Sequence, residues 1–145
     1  VSRGITVHAS NARVSLDQTT MCGALLSAVG EVVSVDDEGL MDAVTAVSGS
    51  GPAYVFLLIE AMAAAGEKSG LPADLSMRLA RATVAGAGEL ARLSDDEPSQ
   101  LRINVTSPGG TTAAALEVLM ADDGVQPVFD RAIAAATGRS RDLAG

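Results

Sequence analysis

Tryptophan is absent from this chain, and one Tyr and two Phe are its only aromatics, 2% of 145 residues. An apolar fraction of 48% is enough to bury a core, but Ala, Val, Leu and Met must build it. The single cysteine, Cys22, excludes an internal disulfide, and no metal-ligand spacing surrounds it. His8 is the only histidine, so neither a Cys–His dyad nor a His-based zinc site is expected. Lys and Arg total 10 against 18 acidic residues, a net charge of −8. Nucleic-acid binding needs clustered cations, so no nucleic-acid partner is expected. The acidity reads as solubility. No apolar run in the sequence reaches the length of a membrane span, and no basic region leads into an apolar stretch near the start. No membrane partner is expected, and the expected location is cytoplasmic. The first residue is Val1 rather than Met, which suits a fragment or a processed product.

What is present divides in two. Gly4 to His8 is short and β-branched, a strand pattern. Asn11 to Val14 reads as a turn, and Ser15 as the N-cap of a helix that runs to about Val29 and stops at Gly30. Glu31 to Val35 reads as a second strand, followed by an acidic linker from Asp36 to Gly39. Two strands this short do not make a sheet, so the expectation is that they pair with others upstream. Beyond residue 39 the pattern is helical. Leu40 to Val47 is a short helix, Ser48 to Pro52 a glycine-rich break, and Ala53 to Ser69 an apolar helix ended by Gly70. A further helix opens near Pro72 and carries Leu75, Leu79, Ala82, Gly86, Leu90 and Leu93 at helical spacing. Then come a short helix to about Val105 with Pro98 in its first turn and Asp95 or Asp96 as cap, a helix from about Thr112 to Met120, and a last one from Pro127 to about Leu143.

Gly86 and Gly88 inside a helix cost about 1 kcal/mol each relative to Ala. That cost makes sense where another helix backbone approaches closely. The 53–69 helix is apolar around nearly its whole circumference, and one small domain cannot cover it. Burial against a second copy is the simplest remedy, so an interlocked homo-oligomer is expected.

Two glycine-rich stretches are candidates for binding. SGSGPAY (48–54) has the composition of a loop that cradles phosphate or carboxylate ahead of a helix, with Ser48, Gly49, Ser50 and Gly51 in that role. Tyr54 stands where the dinucleotide fingerprint needs a small residue, no strand precedes it, and the Lys-Ser/Thr ending of a P-loop is missing. A helix–helix turn with unusual dihedrals explains it equally simply. SPGGTT (107–112) is more suggestive. Pro108 fixes one dihedral, Gly109 and Gly110 free the backbone to expose N–H groups, and Thr111 and Thr112 add hydroxyls where a helix begins. A helix N-terminus carries about half a positive charge and unpaired donors, a match for a carboxylate. An ordinary turn followed by a Thr N-cap is the other reading.

Taken together, DAVTAVSGSGPAYVF (42–56) and LRINVTSPGGTTAAALEVL (101–119) resemble the C-terminal domain of pyrroline-5-carboxylate reductases. KSGLPADLSMRLARATVAGAGELA and the closing AIAAATGRSRDLAG fit as well. GITVHASNARVSLDQ and LLSAVGEV are similar to the last part of that family's N-terminal cofactor domain. The resemblance implies a mainly α fold: a helical-bundle dimerisation and substrate domain over 37–145, preceded by a short αβ remnant of a Rossmann domain over 1–36. It implies NADPH- or NADH-dependent reduction of 1-pyrroline-5-carboxylate to L-proline. It also implies a homodimer that swaps helices, with dimers assembling into rings up to a decamer. Carried over position by position, Ser107, Gly109, Gly110, Thr111 and Thr112 hold the substrate carboxylate, and Asn104 and Val105 line the same pocket. Thr45 takes the catalytic place near the ring nitrogen and nicotinamide, and Asp95 faces the substrate amine. Ser48, Gly49, Ser50 and Gly51 are expected on the cofactor side from the loop composition, not from this carry-over.

Such chemistry needs no nucleophile and no metal. Hydride adds to a protonated carbon–nitrogen double bond, so the protein's task is to grip and orient. The family's G-x-G-x-x-G/A loop should lie near the start of the protein, and no such loop stands there in this chain. Most of the cofactor domain is therefore expected to be missing, and the chain alone is expected to bind NADPH poorly and not to turn over. A non-catalytic helical oligomerisation module, a truncated inactive fragment, or a related dehydrogenase acting on another small carboxylate are the alternative readings.

Overall fold

In the computed structural model, β1 (Gly4–Ala9) and β2 (Gly30–Val35) are joined by helix α1 (Leu16–Leu26). The structure describes residues 3–145; Val1 and Ser2, within the expected 1–36 remnant, lie outside the described residues. The strands pair in parallel, Gly4 opposite Gly30 through Ala9 opposite Val35. Parallel neighbours need a long crossover, which α1 supplies. The expectation that each strand pairs upstream is corrected to this extent: the two pair with each other. α1 starts on a capping box, in which the Ser15 hydroxyl accepts the Gln18 N–H and Gln18 Oε1 accepts the Ser15 N–H at 2.9 Å. It ends at Leu26, so Gly30 is not a helix stop. Gly30 opens β2, where a Cβ would run into the Gly4 carbonyl of the adjacent strand. Close strand approach is why glycine stands there.

The expected break at Ser48–Pro52 does not occur. A 3₁₀ turn (Glu38–Leu40), α2 (Met41–Val44), a wider π turn (Thr45–Gly49) and α3 (Gly51–Lys68) follow one another as continuous helical backbone. The reason lies in Pro52. A proline in an α-helix removes one N–H and collides with the carbonyl four residues back, here that of Ser48. The π turn relieves this by shifting the ladder one residue, so that the Ser50 N–H reaches the Thr45 carbonyl at 2.9 Å. Because the break is absent, the helical run Glu38–Lys68 is 31 residues and apolar enough to cross a membrane by length and composition. That corrects the expectation that no segment reaches span length. A helix that buries its faces against protein meets the same criterion.

α3 ends in a Schellman motif: Leu71 N–H bonds Gly66 O at 3.1 Å, Gly70 N–H bonds Glu67 O at 2.9 Å, and Gly70 takes φ +100°. Pro72 then directs the chain into α4 (Ala73–Leu93). The two helices touch through small residues. Ser76, 2% exposed, donates its hydroxyl to Ala63 O at 2.6 Å, and a Cβ at Gly66 would strike the Ser76 oxygen. α5 (Pro98–Asn104), α6 (Thr111–Leu119) and α7 (Val125–Ala144) complete the chain. Glu97, not Asp95 or Asp96, occupies the cap position of α5, without a side-chain bond. Tyr54 of α3 meets Phe129 of α7 edge to face, with ring centroids 6.2 Å apart. The residues group into two compact units, one up to Gly51 together with Ala132–Gly145, the other Pro52–Arg131.

Among the described residues, the only buried apolar side chains are Ala46, Ala63 and Ala80. Phe56, Leu57, Leu93, Val118 and Leu143 are each more than 60% exposed. Gly86 and Gly88, expected at a close helix contact, have nothing within 4 Å of a built Cβ in the single chain. Two substitutions separate these cases. Gly66→Ala displaces the buried Ser76 hydroxyl and is expected to cost about 1–3 kcal/mol in urea unfolding. Gly86→Ala is expected to add up to about 1 kcal/mol of helix propensity where α4 is uncovered. A loss there instead would locate a second backbone against that face.

Candidate functional site

SPGGTT forms a tight turn that runs directly into α6. Gly110 N–H bonds Ser107 O at 3.0 Å, so Ser107 to Gly110 is one β-turn. Pro108 sits second and Gly109 third, at φ +66°, the residue pattern of a type II turn. Gly110 is the N-cap of α6, with φ −83° and ψ 177°, and offers no side-chain acceptor. Its missing Cβ would lie 3.1 Å from Ser107 O and 3.4 Å from Ser107 Cβ, so the Ser107 side chain stands beside the helix entrance.

The first helical bond of α6 runs from Ala114 N–H to Gly110 O at 3.2 Å. By helix geometry the N–H groups of Thr111, Thr112 and Ala113 then have no acceptor within α6. The reading of Thr as an N-cap is not met, since Thr111 and Thr112 are already the first helical residues. Among the described residues, the hydroxyls of Ser107, Thr111 and Thr112 make no hydrogen bond. Thr111 is exposed and Thr112 half-buried. Hydroxyls and backbone N–H donors thus cluster at the positive end of a helix dipole, with open space beside Gly109. Chemically this arrangement offers the donors that a small oxyanion accepts from; none of its groups is an acid or base near neutral pH.

α5, which precedes the turn, carries a polar chain that runs back to the segment before it. Gln100 donates to Asn104 Oδ1 at 2.8 Å, and Asn104 Nδ2 donates to Asp96 at 3.4 Å. The Ser94 hydroxyl accepts the Asp96 N–H at 3.1 Å. Asp95, the acid expected at the substrate, is exposed and makes no bond among the described residues, while its neighbour Asp96 orients Asn104. No sequence signal separates the two adjacent aspartates; the i, i+4 spacing of Gln100 and Asn104 was the available clue. Val105 closes α5, and the Thr106 hydroxyl bonds Arg102 O at 2.6 Å, fixing how the chain leaves α5 for the turn. A shallow apolar depression of about 360 Å³, lined by Val118, Leu119, Val125, Val128 and Phe129 with Asp123, contains none of these donors.

Thr45, Ser48, Gly49, Ser50 and Gly51 lie in the other compact unit. The expected glycine loop there is helix, and the Ser50 N–H is occupied by Thr45 O. A diphosphate cradle of free loop N–H groups is therefore not formed by these residues. Thr45 is exposed at the start of the π turn, its methyl 3.5 Å from where a Gly49 side chain would begin. Asp42, Ser140 and Arg141 were not singled out from the sequence as site residues, yet they meet: Ser140 Oγ bonds Asp42 Oδ1 at 2.7 Å, and Arg141 Nε lies 3.6 Å from Asp42 Oδ2.

Residues 38–143 match the family model described as pyrroline-5-carboxylate reductase dimerisation. The pyrroline-5-carboxylate reductase of Pseudomonas aeruginosa is 50% identical over 93% of this chain and 49% of its own length. That of Synechocystis is 48% identical over 99% of this chain and 53% of its own. Among solved structures, a pyrroline-5-carboxylate reductase from Coxiella burnetii superposes with TM-score 0.91 at 38% identity, covering 98% of this chain and 52% of that one. The Plasmodium falciparum pyrroline carboxylate reductase, crystallised with NADP bound, gives 0.82 at 33% identity, covering 99% and 54%. The chain spans about half the length of the curated relatives it matches.

The turn itself makes a prediction independent of any ligand. Gly109→Ala forces a left-handed conformation on a residue with Cβ and is expected to cost about 1–2 kcal/mol in chemical denaturation. Gly110→Ala keeps an ordinary φ and needs only a small retreat of the Ser107 carbonyl, so its cost should be the smaller of the two.

Proposed function

Because the chain belongs to the pyrroline-5-carboxylate reductase family, we propose that it supplies the substrate-carboxylate site and the self-association surface of an enzyme that reduces 1-pyrroline-5-carboxylate to L-proline. The observation that carries this reading is the group of donors without a protein partner at the entrance of α6: Ser107, Thr111, Thr112 and the backbone N–H groups after Gly110. A carboxylate accepts from several such donors at once, and charge-assisted bonds of this kind are the stronger ones. Gripping the substrate at its carboxylate leaves the imine end free to be oriented, and orientation is most of what a hydride transfer asks of the protein. Asn104, held by Gln100 and Asp96, and Val105 form the adjacent wall in this reading, with Asp95 at the substrate amine.

Thr45 is the residue we place beside the reacting ring nitrogen. Ser48, Gly49, Ser50 and Gly51 stand on the cofactor side in this reading, as helical backbone and not as a phosphate cradle. The reductant is NADPH or NADH, and its phosphates would be held by segments this chain does not contain. In the division proposed, 1–36 is the cofactor-domain part and 37–145 the dimerisation and substrate part. The partner for the uncovered helices is a second copy in a helix-swapped dimer, with assembly into rings up to a decamer, in the cytoplasm.

The test is steady-state kinetics on the protein that contains this chain. Thr112→Val removes one donor to the carboxylate, a loss of about 1.5–3 kcal/mol, or about 10–100-fold in the KM for pyrroline-5-carboxylate and in L-proline inhibition. Nucleotide KM should stay within twofold. Unchanged proline affinity in Thr112→Val would show that α6 does not hold the carboxylate.

A further inference from the structure

Thr45 begins a π turn, and a π turn is a less favourable backbone than an α-helix, kept only where the surroundings hold it. Pro52 explains why the ladder must shift somewhere upstream, but not why it shifts at Thr45. Two polar contacts reach Asp42, just ahead of this segment, from far along the chain. Asp42 lies three residues before Thr45, so the two occupy neighbouring positions along one helix face. Its carboxylate receives the Ser140 hydroxyl at 2.7 Å and stands 3.6 Å from Arg141 Nε, both from the last turns of α7. The two contacts differ in weight. The Ser140–Asp42 bond is part-buried, and the Asp42 side chain is 27% exposed. The Arg141 side chain is 68% exposed, where an ion pair is screened and contributes little. Ala46, the next residue after Thr45, is 1% exposed, so the segment is anchored on the side it buries.

We propose that Asp42 is a positioning residue: its hydrogen bond from Ser140 latches the end of α7 onto the helix just ahead of Thr45 and fixes where the π turn falls. In that register Thr45 O receives the Ser50 N–H and the Thr45 methyl faces Gly49. Without the latch the segment gains access to other ladder registers, and the Thr45 side chain loses its fixed direction. The role in catalysis rests on the proposed reductase reading; the role in fixing the turn does not.

Amide hydrogen exchange and steady-state kinetics on the protein containing this chain separate these two. Ser140→Ala and Asp42→Ala are expected to speed exchange across 45–50 by about 10-fold or more while α4 is unchanged. Asp42→Asn, which keeps an acceptor for Ser140 and loses only the exposed ion pair, should behave as wild type. So should Ser140→Thr. The same two alanine variants should lower kcat about 10-fold with nucleotide KM within twofold, and add nothing in a Thr45→Val background. Unchanged exchange at 45–50 overturns the latch. Faster exchange with unchanged kcat keeps the latch and overturns its positioning role. A wild-type protein without reductase turnover sinks the proposed function, while exchange still decides the latch.

Discussion

Everything in this chain follows from a shortage of internal cover for its own apolar side chains. With almost no aromatic bulk, its helices pack through Ala63, Gly66, Ser76 and Ala80, which brings backbones close but buries little area. Leu, Val, Met and Phe are left on the outside. At about 25 cal/mol per Å² of apolar surface removed from water, leaving such side chains wet forgoes the main stabilising term of folding. A helix apolar on all sides, such as α3, is stable in water only when other protein covers it. A family whose matching segment is described by dimerisation fits that requirement, and a second copy presents the same faces in the same arrangement.

The candidate site is built so that it does not depend on a large core. Its geometry comes from local backbone: a proline, a glycine at positive φ, a glycine cap, and a helix that starts without a side-chain acceptor. The α5 network of Gln100, Asn104 and Asp96 and the Thr106–Arg102 bond add short-range support. Donors without an intrahelical partner at a helix start are left to water, and their shared positive end complements an anion. The π turn at Thr45 is the complementary case, a local departure from regular helix that a long-range contact reaches.

Where the sequence could be read, local chemistry was the reason. Ser15 with Gln18, Gly70 with Leu71, and the SPGGTT turn each carry their conformation in adjacent residues, and the resemblance of two motifs pointed to the family that the matches show. The errors came where a residue's role depends on something distant. Gly30 reads as a helix stop but serves a neighbouring strand. Ser48 to Pro52 reads as a break because glycine and proline usually end helices, whereas a one-residue shift in the ladder carries the helix through. Hiding that continuity also hid the length of the helix Glu38–Lys68. Asp42 and Ser140 are 98 residues apart, and no pattern in either neighbourhood joins them.

The central claim is that the uncovered helical faces are completed by a second copy. Sedimentation velocity on this chain across a dilution series, with helicity followed by circular dichroism, tests it directly. The account predicts a dimer or a multiple of it wherever the chain is helical, with helicity and association lost together on dilution. A monomer that stays fully helical and cooperatively folded at the lowest concentration would contradict it.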